Sequence, residues 1–170
     1  VDLANFINQM GADIKGAGTD KIVINGVESL HGGTYSIIPD QIEAGTYMAA
    51  VAACGGDVLI KNVIPKHLEC IGTKLEDMGV KIEMYDDSIR VIRNGPLRHT
   101  NLKTMPYPGF PTDMHPQMAA AMVLADGSSH ITEGVWPNRF RYAEELEKMG
   151  AHISVFKETA VIEGVPDLFG

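Results

Sequence analysis

Three stretches of the chain share one order of apolar and polar positions: FINQMGADIKGAGTDKIVINGV, IGTKLEDMGVKIEMYDDSIRVI and YAEELEKMGAHISVFKETAVIEGV. Each predicts a helix end, a Met-Gly pair, a strand with alternating apolar residues, a polar turn and a second strand. The glycines are Gly11, Gly79 and Gly150, each placed where a helix C-terminus calls for the left-handed backbone that glycine adopts most readily. They lie 68 and 71 residues apart. That period is too long for a common solenoid and predicts duplication of a whole supersecondary unit.

The later two copies extend further back. YMAAVAACGGDVLIKNVIPKHL aligns with QMAAAMVLADGSSHITEGVWPNRF at an offset of 72, which matches Gly55 with Gly127, Val63 with Val135 and Pro65 with Pro137. The full unit is then βαβαββ. Its first helix, over 42–53 and again over 114–125, is small and apolar nearly all the way round, the pattern of a helix enclosed by others. Its second helix carries a single apolar stripe, Leu68, Ile71, Leu75 and Met78 in one copy and Phe140, Ala143, Leu146 and Met149 in the next, with charges opposite. Strands such as KIEMYDDSIRVI alternate, which predicts sheets with one face in water. Residues 1–33 hold only the αββ tail of such a unit, with the stripe Leu3, Phe6, Ile7 and Met10, so the chain reads as a piece of a longer protein.

With 170 residues, 45% of them apolar, the chain can bury a core without disulfides. A formal charge of -8 argues against nucleic acid as a partner but leaves room for a local basic pocket that takes an anionic substrate. No apolar run approaches the ~18 residues of a membrane span, and the N-terminal residues form neither a secretory nor a transit signal, so no membrane partner and a cytoplasmic location are expected. Cys54 and Cys70 lack metal-type spacing and read as free thiols packed against apolar neighbours. The histidines are scattered with no pair at i, i+4, so no metal site is expected.

Candidate chemistry concentrates in GFPTDMHPQMAAAMVLADG, where Asp113 stands just ahead of a helix almost without polar residues. A carboxylate there can accept backbone N–H bonds and meets the positive end of the helix dipole, while the apolar helix behind it limits water. That describes an ordinary N-cap or a base in an active site. Arg139, in WPNRF, opens the next helix; its counterpart in the other repeat is His67, so the scaffold itself does not demand an arginine. A guanidinium suits a phosphate, a carboxylate or a partner aspartate, and the alternative is a surface salt bridge of little consequence. Asp40, the repeat counterpart of Asp113, reads as the cap of its own helix.

PDQIEAGTYMAAVAACGGDVLIKNV, FPTDMHPQMAAAM and ITEGVWPNRFRYAEELEKMGAHI closely resemble the UDP-N-acetylglucosamine enolpyruvyl transferases (UDP-N-acetylglucosamine 1-carboxyvinyltransferases) of bacterial cell-wall synthesis. The resemblance covers essentially the whole chain but less than half of a full-length member. It implies an α/β fold of two domains, each an inside-out barrel of three βαβαββ units with helices inside and sheets outside, present here incompletely. On that mapping residues 1–33 end one domain, and 34–170 supply two repeats of the other, 34–95 and 96–170. The implied reaction moves the enolpyruvyl group of phosphoenolpyruvate to the 3-hydroxyl of UDP-N-acetylglucosamine and releases phosphate, the first committed step of peptidoglycan synthesis, with no metal or organic cofactor.

The resemblance makes Asp113 the residue that contacts the reacting hydroxyl and shuttles its proton. It also singles out Val135 as a substrate contact through its backbone; Arg139, on the chemistry of its guanidinium, is expected beside them as a substrate-binding residue or an orienter of Asp113. The family's catalytic cysteine and most of the basic residues that hold phosphoenolpyruvate map outside the chain, so the chain alone is expected to be inactive. Two units out of three leave apolar faces open, which suggests self-association. The alternatives are the related enolpyruvyl transferase of the shikimate pathway, which FPTDM and NRFRYAEEL disfavour, and a non-catalytic UDP-sugar-binding or structural fragment.

Overall fold

A computed structural model describes residues Val1 to Gly170, which form two compact units, Val1–Pro39 and Asp40–Gly170. In the first unit, helix α1 (Asp2–Gln9) ends at Met10 and Gly11, whose φ is 97°. The chain then forms the antiparallel hairpin of β1 (Asp13–Lys15) and β2 (Val23–Asn25), with Ile14 opposite Ile24. The Asn8 side chain fastens helix to hairpin, donating to the Ile14 carbonyl and accepting from the Ile14 N–H, each at 2.8 Å. No residue of this unit is buried.

The leading strand expected at the start of the first full repeat does not form: residues 34–40 are irregular. The reason lies within the unit. Gln9 donates to the Thr34 carbonyl, and the Tyr35 hydroxyl donates to Asp2 while its ring packs on Phe6, so α1 already engages these residues.

The second unit opens with α2 (Gln41–Cys54), capped by Asp40, whose Oδ1 accepts from the Ile42 N–H at 2.8 Å. There follow β3 (Gly56–Lys61), a 3-10 turn (Pro65–Leu68), α3 (Glu69–Asp77), β4 (Lys81–Met84) and β5 (Ser88–Arg93). The next repeat runs β6 (Leu97–Arg98), β7 (Asn101–Lys103), a 3-10 turn (Thr112–Met114), α4 (His115–Val123), β8 (Ala125–Asp126), β9 (Ser128–Thr132), α5 (Arg141–Lys148), β10 (His152–Phe156) and β11 (Thr159–Glu163). One sheet has the order β3-β5-β4, the other β7-β9-β11-β10, and β7 alone runs parallel to its neighbour β9. Thus β3, β4 and β5 occupy the places of β9, β10 and β11. Short β6 and β8 pair in parallel beside them.

The duplicated glycines behave alike: Gly79 and Gly150 both have φ 95° and close α3 and α5 in the same way. Met48 and Ala52 of α2 and Met118 and Met122 of α4 are fully buried and belong to one core with Ile71 and Leu75 of α3. The helices lie inside and the sheets outside; edge strand β3 is exposed at both Val58 and Leu59, which point to its opposite faces. Gly45 permits the close fit of α2, because a Cβ there would stand 2.7 Å from the sulfur of Met114.

Several expectations need correction. Helix α4 is shorter than 114–125, because Ala125 and Asp126 are drawn into pairing with β6. The stripe of α5 fades along its length: Phe140 and Ala143 are buried, but Met149 is exposed. Cys54 is exposed rather than packed, at the last residue of α2, while Cys70 is half-buried with its thiol toward the Gly109 carbonyl. No helix is long and apolar enough to cross a membrane.

Candidate active site at the mouth of α4

Asp113 does not cap α4. It sits inside the 3-10 turn Thr112–Met114 that precedes the helix, and neither the turn nor the helix has a side-chain cap. Pro111 and Pro116 bracket this turn, and the Met114 N–H closes on the Pro111 carbonyl at 3.0 Å. Its partner is Arg139, whose Nη2 donates to Asp113 Oδ1 and whose Nη1 donates to Thr112 Oγ1 at 3.2 Å. Asp113 Oδ2 makes no hydrogen bond within the chain. Side-chain exposures of 59% for Asp113 and 33% for Arg139 leave the pair reachable by a ligand and make it a weak contributor to stability.

Arg139 precedes α5 rather than opening it, because the helix begins only at Arg141. Asn138, at φ 58°, turns the chain there, a conformation that asparagine tolerates better than most residues. Val135 is half-buried in the loop after β9, and its N–H donates to Glu133 Oε1 at 2.7 Å. The structure therefore brings Asp113 and Arg139 into contact and ties Val135 to the same cluster through a residue the sequence did not single out.

That residue is Glu133, only 4% exposed. Its Oε1 accepts from the Thr104 hydroxyl at 2.7 Å and from the N–H groups of Val135 and Trp136 at 2.7 and 3.0 Å, while Oε2 accepts from the Thr112 hydroxyl at 2.7 Å. Burial pushes this carboxyl up, but the bonds from Thr112, Thr104, Trp136 and Val135 outweigh it and hold the group at about 2. Thr104 Oγ1 in turn accepts from the Gly134 N–H at 2.8 Å. Nothing in HITEGV distinguishes Glu133 from a solvated strand-end charge. The one available signal is that the 72-residue offset sets it against Lys61, a charge of opposite sign.

Beneath the cluster, His115 is fully buried, its ring centroid 4.8 Å from that of Phe140 and 5.2 Å from that of Tyr142. Neither ring nitrogen has a hydrogen-bond partner, and burial lowers its pKa to about 4, so the imidazole is neutral. The Tyr142 hydroxyl is likewise buried without a partner, and burial raises its pKa. An accessible carboxylate, a guanidinium fixed beside it and a buried aromatic floor form an arrangement that can hold a hydroxyl and accept its proton while limiting water on one side.

Residues 1–168 match the profile of the EPSP synthase (3-phosphoshikimate 1-carboxyvinyltransferase) family. Over 170 residues the chain is 62% identical to UDP-N-acetylglucosamine 1-carboxyvinyltransferase 3 of Caldanaerobacter subterraneus, covering 100% of this chain and 41% of that protein. It is 53% identical to the UDP-N-acetylglucosamine 1-carboxyvinyltransferase of Desulfofundulus thermocisternus, covering 99% of this chain and 70% of that one. Among solved structures, the enolpyruvyl transferase NikO from Streptomyces tendae matches 97% of this chain with 40% of its own length, at a TM-score of 0.81 and 29% identity. The chain thus spans about two fifths of the first of these relatives, about 41% of its length. Matched along nearly its whole length by one family profile and by relatives more than half identical to it, the chain belongs to the EPSP synthase family of enolpyruvyl transferases, alongside the UDP-N-acetylglucosamine 1-carboxyvinyltransferases.

Proposed function

We propose that this chain supplies one wall of the active site of a UDP-N-acetylglucosamine 1-carboxyvinyltransferase. In that reading residues 1–33 complete one domain, and 34–170 provide two repeats of the other. The 3-hydroxyl of UDP-N-acetylglucosamine attacks C2 of phosphoenolpyruvate as Asp113 takes its proton, C3 is protonated, and the tetrahedral adduct then loses phosphate from C2 together with a proton from C3, which restores the double bond. Arg139 holds Asp113 Oδ1, so Oδ2 is the oxygen that meets the sugar hydroxyl. Val135 offers its backbone carbonyl, since its N–H is engaged by Glu133. The enzyme acts in the cytoplasm at the first committed step of peptidoglycan synthesis, and so in cell-wall biogenesis, cell shape and division.

The observation that carries this reading is the accessible Asp113 locked to Arg139 at the mouth of a buried helix, in a chain whose relatives bear that activity in their names. The test is Asp113→Asn in a full-length enolpyruvyl transferase carrying this segment. The amide keeps the shape and can still hydrogen-bond the sugar hydroxyl but is no base. Single-turnover phosphate release should fall by about 10²–10⁴, the usual contribution of general acid–base catalysis, with UDP-N-acetylglucosamine binding nearly unchanged. A rate within a few-fold of the parent would remove Asp113 from the chemistry. Turnover of shikimate 3-phosphate in place of the UDP-sugar would assign the chain to the shikimate branch.

A further inference from the structure

We propose that Glu133 is a positioning residue for this site: as a buried acceptor it fixes the direction of the Thr112 hydroxyl, and through it the guanidinium of Arg139 against Asp113. The inference rests on the reaction proposed above and adds a residue to it. The direction follows from donor and acceptor inventory alone. A carboxylate such as Glu133 only accepts, and a guanidinium only donates. Thr112 Oγ1 lies between them, 2.7 Å from Glu133 Oε2 and 3.2 Å from Arg139 Nη1. Its single proton must therefore go to Glu133, and only its lone pairs face Arg139.

Arg139 is then held by two acceptors on consecutive residues, Thr112 Oγ1 and Asp113 Oδ1, which fixes the plane of the guanidinium and leaves Asp113 Oδ2 free for a ligand. The other oxygen of Glu133 gathers the Val135 and Trp136 N–H groups. One buried side chain thereby sets both the acid–arginine pair and the loop presenting the Val135 carbonyl. Glutamine keeps the shape but places a donor where either Thr112 or the two backbone N–H groups require an acceptor.

The experiment uses a full-length enolpyruvyl transferase carrying this segment and its variants Glu133→Gln, Thr112→Val, Thr112→Ser and the double Glu133→Gln/Thr112→Val. Breaking a hydrogen-bonded link to a charged group should lower kcat by about ten- to hundred-fold in each of the first two, with KM for UDP-N-acetylglucosamine changed far less. Thr112→Ser should recover most of what Thr112→Val loses. The double variant should be little worse than the poorer single one, because both act through one chain of contacts. Hydrogen exchange of the Arg139 guanidinium, followed by NMR in the same proteins, should quicken in Glu133→Gln and Thr112→Val and stay slow in Thr112→Ser.

Unchanged Arg139 exchange in Glu133→Gln, or losses in kcat that simply multiply, would overturn the positioning role. If the unsubstituted enzyme transfers no enolpyruvyl group to UDP-N-acetylglucosamine, the proposed function fails, and the Arg139 exchange still decides the role of Glu133.

Discussion

His115 and Glu133 face each other's fields under the candidate site, and both make the fold sensitive to acid through different protons. Burial lowers the His115 pKa from its ordinary 6.5 to about 4. As pH falls through 6.5 the unfolded chain takes up a proton that the folded chain refuses until about 4, so stability drops across that window and levels off below it. The loss is roughly 3 kcal/mol. Glu133 has the usual carboxylate sign: held at about 2 against an ordinary 4.5, it stabilises above 4.5 and loses that contribution as pH falls toward 2. Urea titrations of the chain at several pH values should therefore show a decline between pH 6.5 and 4 that His115→Phe abolishes, leaving only the more acidic decline. Equal slopes in the two proteins would mean that the buried imidazole does not govern this range. Neither residue was legible in the sequence. His115 reads as one more scattered histidine, and Glu133 as a charge at a strand end. What makes them special is burial by Thr104, Phe140 and Tyr142, which tertiary packing brings together and no local pattern encodes.

At the scale of elements the sequence was far more informative, because the physics there is local. A Met-Gly pair after an amphipathic helix demands a left-handed residue, and Gly11, Gly79 and Gly150 take φ values of 97°, 95° and 95°. The small apolar helices 42–53 and 114–125 pack in the interior for the reason their composition suggested, although α4 stops at Val123 where β8 takes over. The leading strand of the first repeat does not form: TYSII has strand-forming residues, but Thr34 and Tyr35 are held by α1. The element-scale prediction concerns Gly79. A Cβ there has room, its nearest neighbour being the Pro96 carbonyl oxygen at 3.6 Å, so Gly79→Ala tests backbone conformation without a clash. Forcing alanine into the left-handed region should cost about 1–2 kcal/mol. Gly79→Asn should cost less, since asparagine tolerates that region. Chemical denaturation of the three proteins would check the order, and an alanine variant as stable as the parent would show that α3 can end differently.

At the scale of the molecule the two units differ in what supports them. The buried core belongs to Asp40–Gly170, whereas Val1–Pro39 buries no residue and leaves Leu3, Ile24 and Ile37 exposed, the last by 85%. A unit of this size lies near the ~40 residues below which a chain rarely supports itself without disulfides, metals or partners. In the second unit, Tyr47 of α2 and Val58 and Leu59 along β3 are also exposed. Apolar surface and open strand edges of this kind associate in water, because covering them removes apolar area from solvent and pairs backbone groups. The 170-residue chain on its own should therefore self-associate, its average mass in sedimentation rising with concentration. Amide exchange should be fast in α1, β1 and β2 at low concentration and slow at Leu75, Ile89 and Ile131, which are fully buried. As association proceeds, protection should appear first along β3 and the exposed side of α2. A monomer at every concentration with α1 as protected as α3 would show instead that the small unit is stabilised within the chain itself, and would remove the case for self-association.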